Sequence, residues 1–326
     1  MKRHTLSVLL FLAAALSGFA QGDASMPSGG AGDSFSSSPA VPVYLAVPST
    51  QKQAQQIHQE LAVDYSYVGG SQARNGGTHY GDSDAQEHDV RYSALVPFDE
   101  TWGMSFGVDY SRFDFGNPST AAGLPQNIEA VVPNIGVRYK VDDQWALFGR
   151  FAPEIENLNN WSQSQYIRYT GALGAFYDVN PALQFTFGLA INPGTIKIPV
   201  MPLVGMRWKF ADSWTLFVGF PKSSVEYRIN PKWVVGAGPS FKGGVFRTDG
   251  DYGTASGRPD LNNQHFYYRE IRVGVNTEYQ FTPWMALDAE VGGSLYREFD
   301  FDDVGSGYKV KNQPAPYGQI GLKFRL

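Results

Sequence analysis

From residue 60 onward, apolar residues recur at every second position. In Trp102-Gly-Met-Ser-Phe-Gly-Val-Asp-Tyr110, one face carries Trp102, Met104, Phe106, Val108 and Tyr110, and the other Gly103, Ser105, Gly107 and Asp109. Residues 183–192 repeat the pattern: Leu183, Phe185, Phe187, Leu189 and Ile191 against Gln184, Thr186, Gly188, Ala190 and Asn192. Successive side chains of a strand point to opposite faces, so each such segment is a strand with one bulky face and one small, polar face.

Breaks between the segments fall into two classes. Short turns lie at 97–101, 142–144, 180–182, 211–213, 230–232 and 280–283, with Asp, Asn and Pro supplying turn chemistry. Longer polar connections at 69–86, 116–128, 156–165, 193–200, 221–224, 248–264 and 298–313 alternate with them. Fourteen strands result, near 60–68, 87–96, 102–115, 129–141, 145–155, 166–179, 183–192, 201–210, 214–220, 225–229, 233–247, 265–279, 284–297 and 314–326. Twelve is the alternative count, because 214–220 and 225–229 are short and Pro199 and Pro202 crowd the start of 201–210. An even count leaves both termini on the short-turn side.

Composition decides what the bulky faces meet. A soluble sandwich buries its apolar faces together and displays charged outer faces. Here charged residues are 17% of the chain, and the lean faces are mostly Gly, Ala, Ser and Thr with isolated charges, as inside a closed barrel in lipid. Many strands reach the ~9–11 residues needed to cross a membrane at a tilt. Closure also pairs every backbone N–H and C=O, as hydrocarbon demands. Trp102, Trp145, Trp214, Trp233 and Trp284 each open a strand after a short turn, and Trp208 precedes another turn. Indoles gathered at one level form an interfacial belt. Trp161 alone lies in a long loop, while Tyr110, Phe115, Tyr166, Phe246, Tyr267 and Tyr296 occupy the opposite strand ends. Trp284 shares the phase of Asp288 and Glu290, so its strand needs a bulge or an inward Trp. The expected fold is all-β, a closed antiparallel transmembrane β-barrel of fourteen strands with a flexible N-terminal segment.

Residues 1–20 read as a signal peptide: Lys2, Arg3 and His4, an apolar run over 6–16, then Gly18-Phe19-Ala20, with cleavage after Ala20. The run is too short for a membrane helix. Residues 21–59, rich in Ser, Gly, Pro and Ala over 22–48, read as a flexible periplasmic segment or a plug, with a short polar helix at 51–60. Residues 60–326 form the barrel. The absence of Cys excludes disulfides, a thiolate metal centre, a catalytic cysteine and lipoprotein acylation. A net charge of −5 argues against nucleic acid as a partner.

Phe151-Ala152-Pro153-Glu154, Gly219-Phe220-Pro221 followed by Val225-Glu226-Tyr227-Arg228, and Tyr268-Arg269-Glu270 are spread over most of residues 100–300. On these segments the chain resembles bacterial outer-membrane β-barrel proteins, and more narrowly a family of outer-membrane barrels of unknown function. The resemblance implies the Gram-negative outer membrane as location. It also implies outer-membrane lipids, lipopolysaccharide and the barrel assembly machinery as partners. It leaves the activity open. Barrels of this type end on an aromatic residue; this chain ends Phe324-Arg325-Leu326, with Phe324 and Leu326 outward.

The period-two phase turns Arg138, Lys140, Arg150, Arg168, Arg207 and Lys209 inward on strands four to eight, with Asp178 the lone acid. On strands twelve and thirteen it turns Glu270, Glu278, Asp288 and Glu290 inward, with Arg272 the lone base. A basic wall opposite an acidic wall would set a transverse field across a watery lumen; the alternative is that these charges pair and fill a closed interior. Fourteen strands lie between the filled eight-stranded barrel and the open pores of ~16–18. Arg112 and Arg269 face outward near the long-loop strand ends. Arg at the bilayer midplane costs ~2–4 kcal/mol, which places both near the interface.

Catalytic constellations are sparse. The histidines after the leader are His58, His79, His88 and His265. An outer-membrane phospholipase needs Ser two residues after its His, and Val90 and Tyr267 stand there instead. A rim protease would draw on Asp82, Asp84, His79 and His88. Asp249-Gly250-Asp251 and Asp300-Phe301-Asp302-Asp303 miss the EF-hand spacing. We therefore expect no enzyme, metal or cofactor, but a passive or gated channel for small solutes. The alternatives are a structural or surface-interaction barrel with a closed lumen, and a lipophile transporter with an N-terminal plug.

Overall fold

A computed structural model describes residues 57–116, 122–158, 166–192, 199–254, 256–301 and 307–326. The expected leader, residues 21–56 of the expected segment, and Trp161 lie outside the described residues. The strands are β1 (His58–Asn75), β2 (Thr78–Pro97), β3 (Trp102–Phe115), β4 (Asn127–Lys140), β5 (Trp145–Leu158), β6 (Tyr166–Asn180), β7 (Leu183–Ile191), β8 (Val200–Ala211), β9 (Trp214–Val218), β10 (Ser224–Asn230), β11 (Trp233–Arg247), β12 (His265–Thr282), β13 (Met285–Phe301), β14 (Tyr308–Asn312) and β15 (Ala315–Arg325). From β1 to β14 each strand pairs antiparallel with the next in sequence, β15 pairs with β13, and β1 closes the sheet against β14 and β15. Those two strands lie end to end between β13 and β1, interrupted at Gln313 and Pro314. The wall is thus a closed fourteen-stave barrel.

The short turns follow from Asx chemistry. Asp99 Oδ1 accepts from the backbone N–H of Thr101 and Trp102 at 2.6 and 2.7 Å, and Asp142 Oδ1 from Gln144 and Trp145 at 2.7 Å each. Asn180 and Asn230 cap their turns in the same way, on Ala182 and Lys232. Each turn delivers an aromatic to a fixed level. Trp102, Trp145, Trp214 and Trp233 open their strands and meet, on the adjacent strand, Tyr139, Tyr177, Tyr227 and Tyr279 at 4.5, 4.5, 4.8 and 6.3 Å between ring centroids. These tyrosines at the short-turn end were not among the aromatics expected from sequence. Trp208 and Trp284 are also exposed; Trp284 sits in the turn before β13, beside a register shift at Gln280/Thr282, and so escapes the inward phase of Asp288.

Three expectations are corrected. The connection at 69–86 is a hairpin: β1 and β2 run on to a two-residue turn, with Asn75 opposite Thr78. Residues 58–60 are strand rather than helix. Phe115 and Phe246 point into the barrel, where they are buried, and so do not join the outer aromatics. The outer face carries exposed Val63, Val90, Phe106, Ile135, Phe151, Leu173, Leu189 and Val204 on the successive staves β1 to β8, and Val225, Val275, Val291 and Ile320 farther round. So continuous an apolar girdle is stable only against lipid.

Val275 lies mid-height on that girdle and is 58% exposed. Val275→Arg should destabilise the barrel by about 2–4 kcal/mol, while Val275→Leu should not. Reversible urea unfolding in lipid vesicles, followed by tryptophan emission, measures both.

Candidate functional site: a two-level interior

At the long-loop end the interior is aromatic. Phe113 and Phe115 of β3 reach Tyr268 of β12, each at 5.3 Å, and Phe115 reaches Phe299 of β13 at 5.0 Å. Three staves separate β3 from β13 along the wall, so these contacts span the lumen. Phe246, Phe266, Phe301 and Tyr308 extend the same cluster, all buried. Residues 122–126 and the loop residues 248–254 and 256–264 cap it. Leu261 is wholly buried in the cluster beside Ala122 and Leu124. Tyr252 Oη donates to the Gly123 carbonyl at 3.0 Å, and Tyr308 Oη to the Ala122 carbonyl at 2.7 Å. Gly123 adopts φ +60°, and a Cβ there would collide with Leu261. Arg258 stacks 4.1 Å over the Tyr308 ring and donates to Asp260, whose carboxyl is held below its usual range by that hydrogen bond.

Below the aromatics the interior is ionic. Lys242 Nζ of β11 lies 2.8 Å from Glu87 Oε1 and 3.7 Å from Asp89, both on β2. Arg272 of β12 pairs with Glu87 at 3.0 Å and with Glu270 at 2.9 Å, and donates to Ser66 Oγ at 3.2 Å. Four staves separate β2 from β11, so these ion pairs also cross the barrel. Glu290 takes Lys222 at 3.1 Å and the hydroxyl of Tyr317. Lys323 meets Glu278 at 2.8 Å and Asp288 at 3.0 Å, and Arg325 meets Glu278 at 3.0 Å. Side chains from β1–β3 therefore touch those from β11–β13, and the barrel is pinched shut on that side.

The opposite wall is built otherwise. Arg168 of β6 pairs with Glu154 and Glu156 of β5 at 2.5 and 2.7 Å. Arg150 stands 3.6 Å from Asp109. Arg138 and Arg207 are buried, and Arg138 keeps Nε and Nη1 without a hydrogen-bond partner among the described residues. Gln184 donates to Asp178 at 2.7 Å, and Lys140 pairs with Asp143 in the turn. Ala146, Phe148, Ala172, Phe176, Ala190 and Leu203 form an apolar patch on the inner side of β5–β8.

Of the residues singled out by phase, Glu270, Glu278, Asp288 and Glu290 are thus brought together with bases, and Arg168 and Arg272 with acids. The expected walls of single sign are not formed. Asp178 is not the lone acid opposite Arg168, and Arg272 is not the lone base beside Glu270. Glu87, Glu154, Glu156, Lys242 and Lys323 were passed over, although each shares the phase of an inward neighbour: Glu154 follows Arg150 by four, and Lys242 lies on the face opposite Trp233. Arg112 and Arg269 lie on the outer face, paired with Asp114 and Glu129, and with Glu298 and Asp300.

His79 and His88 sit nine residues apart on β2, ~30 Å along a strand, and His88 packs on Tyr65 at 5.1 Å. The rim-protease grouping does not form. No group of three or more His, Cys, Asp or Glu among the described residues is placed to hold a metal ion. Asp302 and Asp303 lie outside the described residues.

The fold and its apolar girdle define a closed transmembrane β-barrel. A family model described as Domain of unknown function (DUF6268) matches residues 50–325, and the chain belongs to that family. No curated protein matches it. Its architecture resembles solved bacterial outer-membrane barrels. A Pseudomonas aeruginosa FadL homologue is 10% identical, with TM-score 0.47 over 83% of this chain and 90% of that one. The Pseudomonas putida toluene transporter TodX is 10% identical, with TM-score 0.43 over 87% and 91%. An outer membrane channel of Pseudomonas putida F1 is 10% identical, with TM-score 0.43 over 83% and 96%.

Glu87 is the tie between the two sides. Glu87→Ala should cost about 3–5 kcal/mol, because it leaves buried cations uncompensated. Glu87→Leu combined with Lys242→Met should cost less than Glu87→Ala alone. Urea unfolding midpoints of the three proteins decide this.

Proposed function

We propose that the protein is a gated channel for small solutes in the bacterial outer membrane, with its long-loop end at the cell surface and both barrel termini toward the periplasm. The Trp ring of 102, 145, 208, 214, 233 and 284 then lies at the periplasmic interface. Outer-membrane lipids surround the girdle, and the barrel assembly machinery inserts it. The proposed path is lined by Arg138, Arg150, Arg168, Arg207, Glu270, Arg272, Glu278, Asp288 and Glu290.

The observation that carries this reading is the change of polarity along the interior. The aromatic level is an apolar seal whose upper part, Leu261 with Ala122 and Leu124, is supplied by loops. It can lift without breaking a single strand pair. The polar interior keeps donors and acceptors with spare capacity: Arg138 Nε and Nη1 and both oxygens of Asp64, which Arg91 approaches only to 4.0 Å, have no hydrogen-bond partner among the described residues. Polar groups left open in a low-dielectric wall are favourable where water or a polar solute completes them. The pinch across Glu87 favours a second reading, a structural barrel whose lumen stays shut.

Planar-bilayer recording separates the two. Phe115→Ala with Phe299→Ala removes the rings that meet across the lumen, and should raise the frequency of stepwise currents at least tenfold over the parent protein. Silence in both proteins, each shown to be folded by its heat-modifiable gel mobility, would sink the channel and leave the structural barrel.

A further inference from the structure

The outer face carries a charged row at the long-loop end of one side. Arg74 of β1 stands opposite Lys311 of β14, Lys311 opposite Glu298 of β13, and Glu298 opposite Arg269 of β12. Lys309 and Asp300 add a second cross-strand pair one step above. All six side chains point away from the lumen, because their neighbours Ala73, Tyr308, Val310, Phe299 and Tyr268 are the buried, inward ones. With adjacent staves ~4.8 Å apart, the row from Arg74 to Arg269 spans ~15 Å.

Its height is set by the strand. On β12 the outward residues below Arg269 are Ile271, Val273, Val275, Thr277 and then Tyr279 of the aromatic ring. Ten residues separate Arg269 from Tyr279. At strand rise and the usual tilt this is ~25 Å along the membrane normal, the height of a barrel's apolar band. The row therefore sits where the acyl chains end and the headgroups begin.

Its charge is unbalanced. Glu298 and Asp300 are buried beneath the cations: Arg269 reaches them at 3.2 and 3.1 Å, Lys309 reaches Asp300 at 2.8 Å and Lys311 reaches Glu298 at 3.3 Å. Within the row four cations thus face two carboxylates; the next outward acid, Asp82 of β2, stands opposite Gln72, whose side chain accepts from Arg74. The carboxylates are taken up by these cations, while the side chains of Lys309 and Lys311 remain 41% and 57% exposed. An ammonium has three donors, so both lysines keep donors directed at the headgroup layer. At the same level on β3 and β4, Arg112 answers to Asp114 and Glu129, and the balance there is acidic.

We infer that this row is a binding site for the phosphate groups of a phosphorylated glycolipid of the outer leaflet, held by Arg74, Lys309 and Lys311 and oriented by Arg269. The inference rests on the orientation proposed above, with the long loops at the cell surface. Clustered basic residues at a membrane surface attract anionic headgroups with a strength that grows with each residue, and the carboxylates beneath fix the ammonium groups in place.

The test uses the full-length folded barrel in detergent, titrated with bisphosphorylated lipid A and read by native mass spectrometry. Parallel arms use phosphate-free lipid A and inorganic phosphate. The parent protein should retain bisphosphorylated lipid A and neither of the others. Arg74→Gln with Lys311→Gln should weaken retention roughly thirtyfold, because Glu298 keeps Arg269 and the fold is preserved. Arg112→Gln on the acidic side should bind as the parent does. Equal retention by the double variant, equal binding of phosphate-free lipid A, saturation by inorganic phosphate alone, or an equal loss in Arg112→Gln would each overturn the inference. Because the readout needs no current, its failure leaves the channel reading intact, and a silent bilayer leaves this one intact.

Discussion

Every backbone N–H and C=O that meets hydrocarbon needs a partner, and this requirement shapes the chain more than any single contact. It explains why the sheet closes on itself through β1 and the β14–β15 stave, and why Pro314, which has no N–H, falls at the break between those two strands. The break is bridged by Gln313, whose N–H donates to the Gln72 carbonyl at 3.1 Å. The ladder is thinnest beside β9 and β10. Pairing between β8 and β9 ends at Met206 and Val218, while β8 continues to Val200. Pro202 stands on that continuing stretch, paired only on the β7 side with Leu189. Proline is tolerated on such a one-sided stretch because the missing donor faces no ladder. On the other flank, Ser223 and Phe241 carry the pairing past the end of β10, donating to the carbonyls of Pro239 and Pro221 at 3.0 and 2.7 Å.

A wall of fourteen staves leaves an interior too wide for one layer of side chains and too narrow for a free channel on all sides. The chain resolves this by pinching. Long side chains from β2 and from β11 and β12 meet at Glu87, and aromatic rings meet above them. Buried ion pairs contribute little net stability, since desolvation offsets much of the Coulomb attraction. Their effect here is to fix which staves approach. Apolar burial in the aromatic cluster supplies the cohesion, at ~25 cal/mol per Å² removed from water.

Much of this was legible in the sequence. Period-two spacing defined the staves, and Asx residues placed the short turns and the Trp residues that follow them. The extra length of β1, β2 and β13 was not legible, because Gly, Ser and Asp in residues 69–86 and 298–301 read as turn chemistry although they continue the strands. Side-chain phase told which charges face inward, but not which ones meet. Lys242 and Glu87 are 155 positions apart, and only the curvature of the closed wall brings them together. The expectation of opposed basic and acidic walls failed for the same reason: it grouped charges by stave, whereas the electrostatic cost of burial selects neighbours of opposite sign.

The segments that carried the resemblance now acquire physical roles. Glu154 holds Arg168 on the wall opposite the pinch. Phe220 packs on Phe241 at 5.0 Å, and Pro221 accepts the bond that extends the β10 flank. Tyr268, Arg269 and Glu270 are consecutive, yet they serve three layers. Tyr268 enters the aromatic seal and donates to Glu270 at 2.9 Å, Glu270 anchors Arg272 in the ionic level, and Arg269 turns outward to the charged row. A strand alternates faces by geometry, so one tripeptide ties seal, ion network and membrane rim at a single height. The same alternation sets one lipid-facing residue between two lumen-facing ones, so the order of layers inside the wall and the charge at its rim are written into the same three positions.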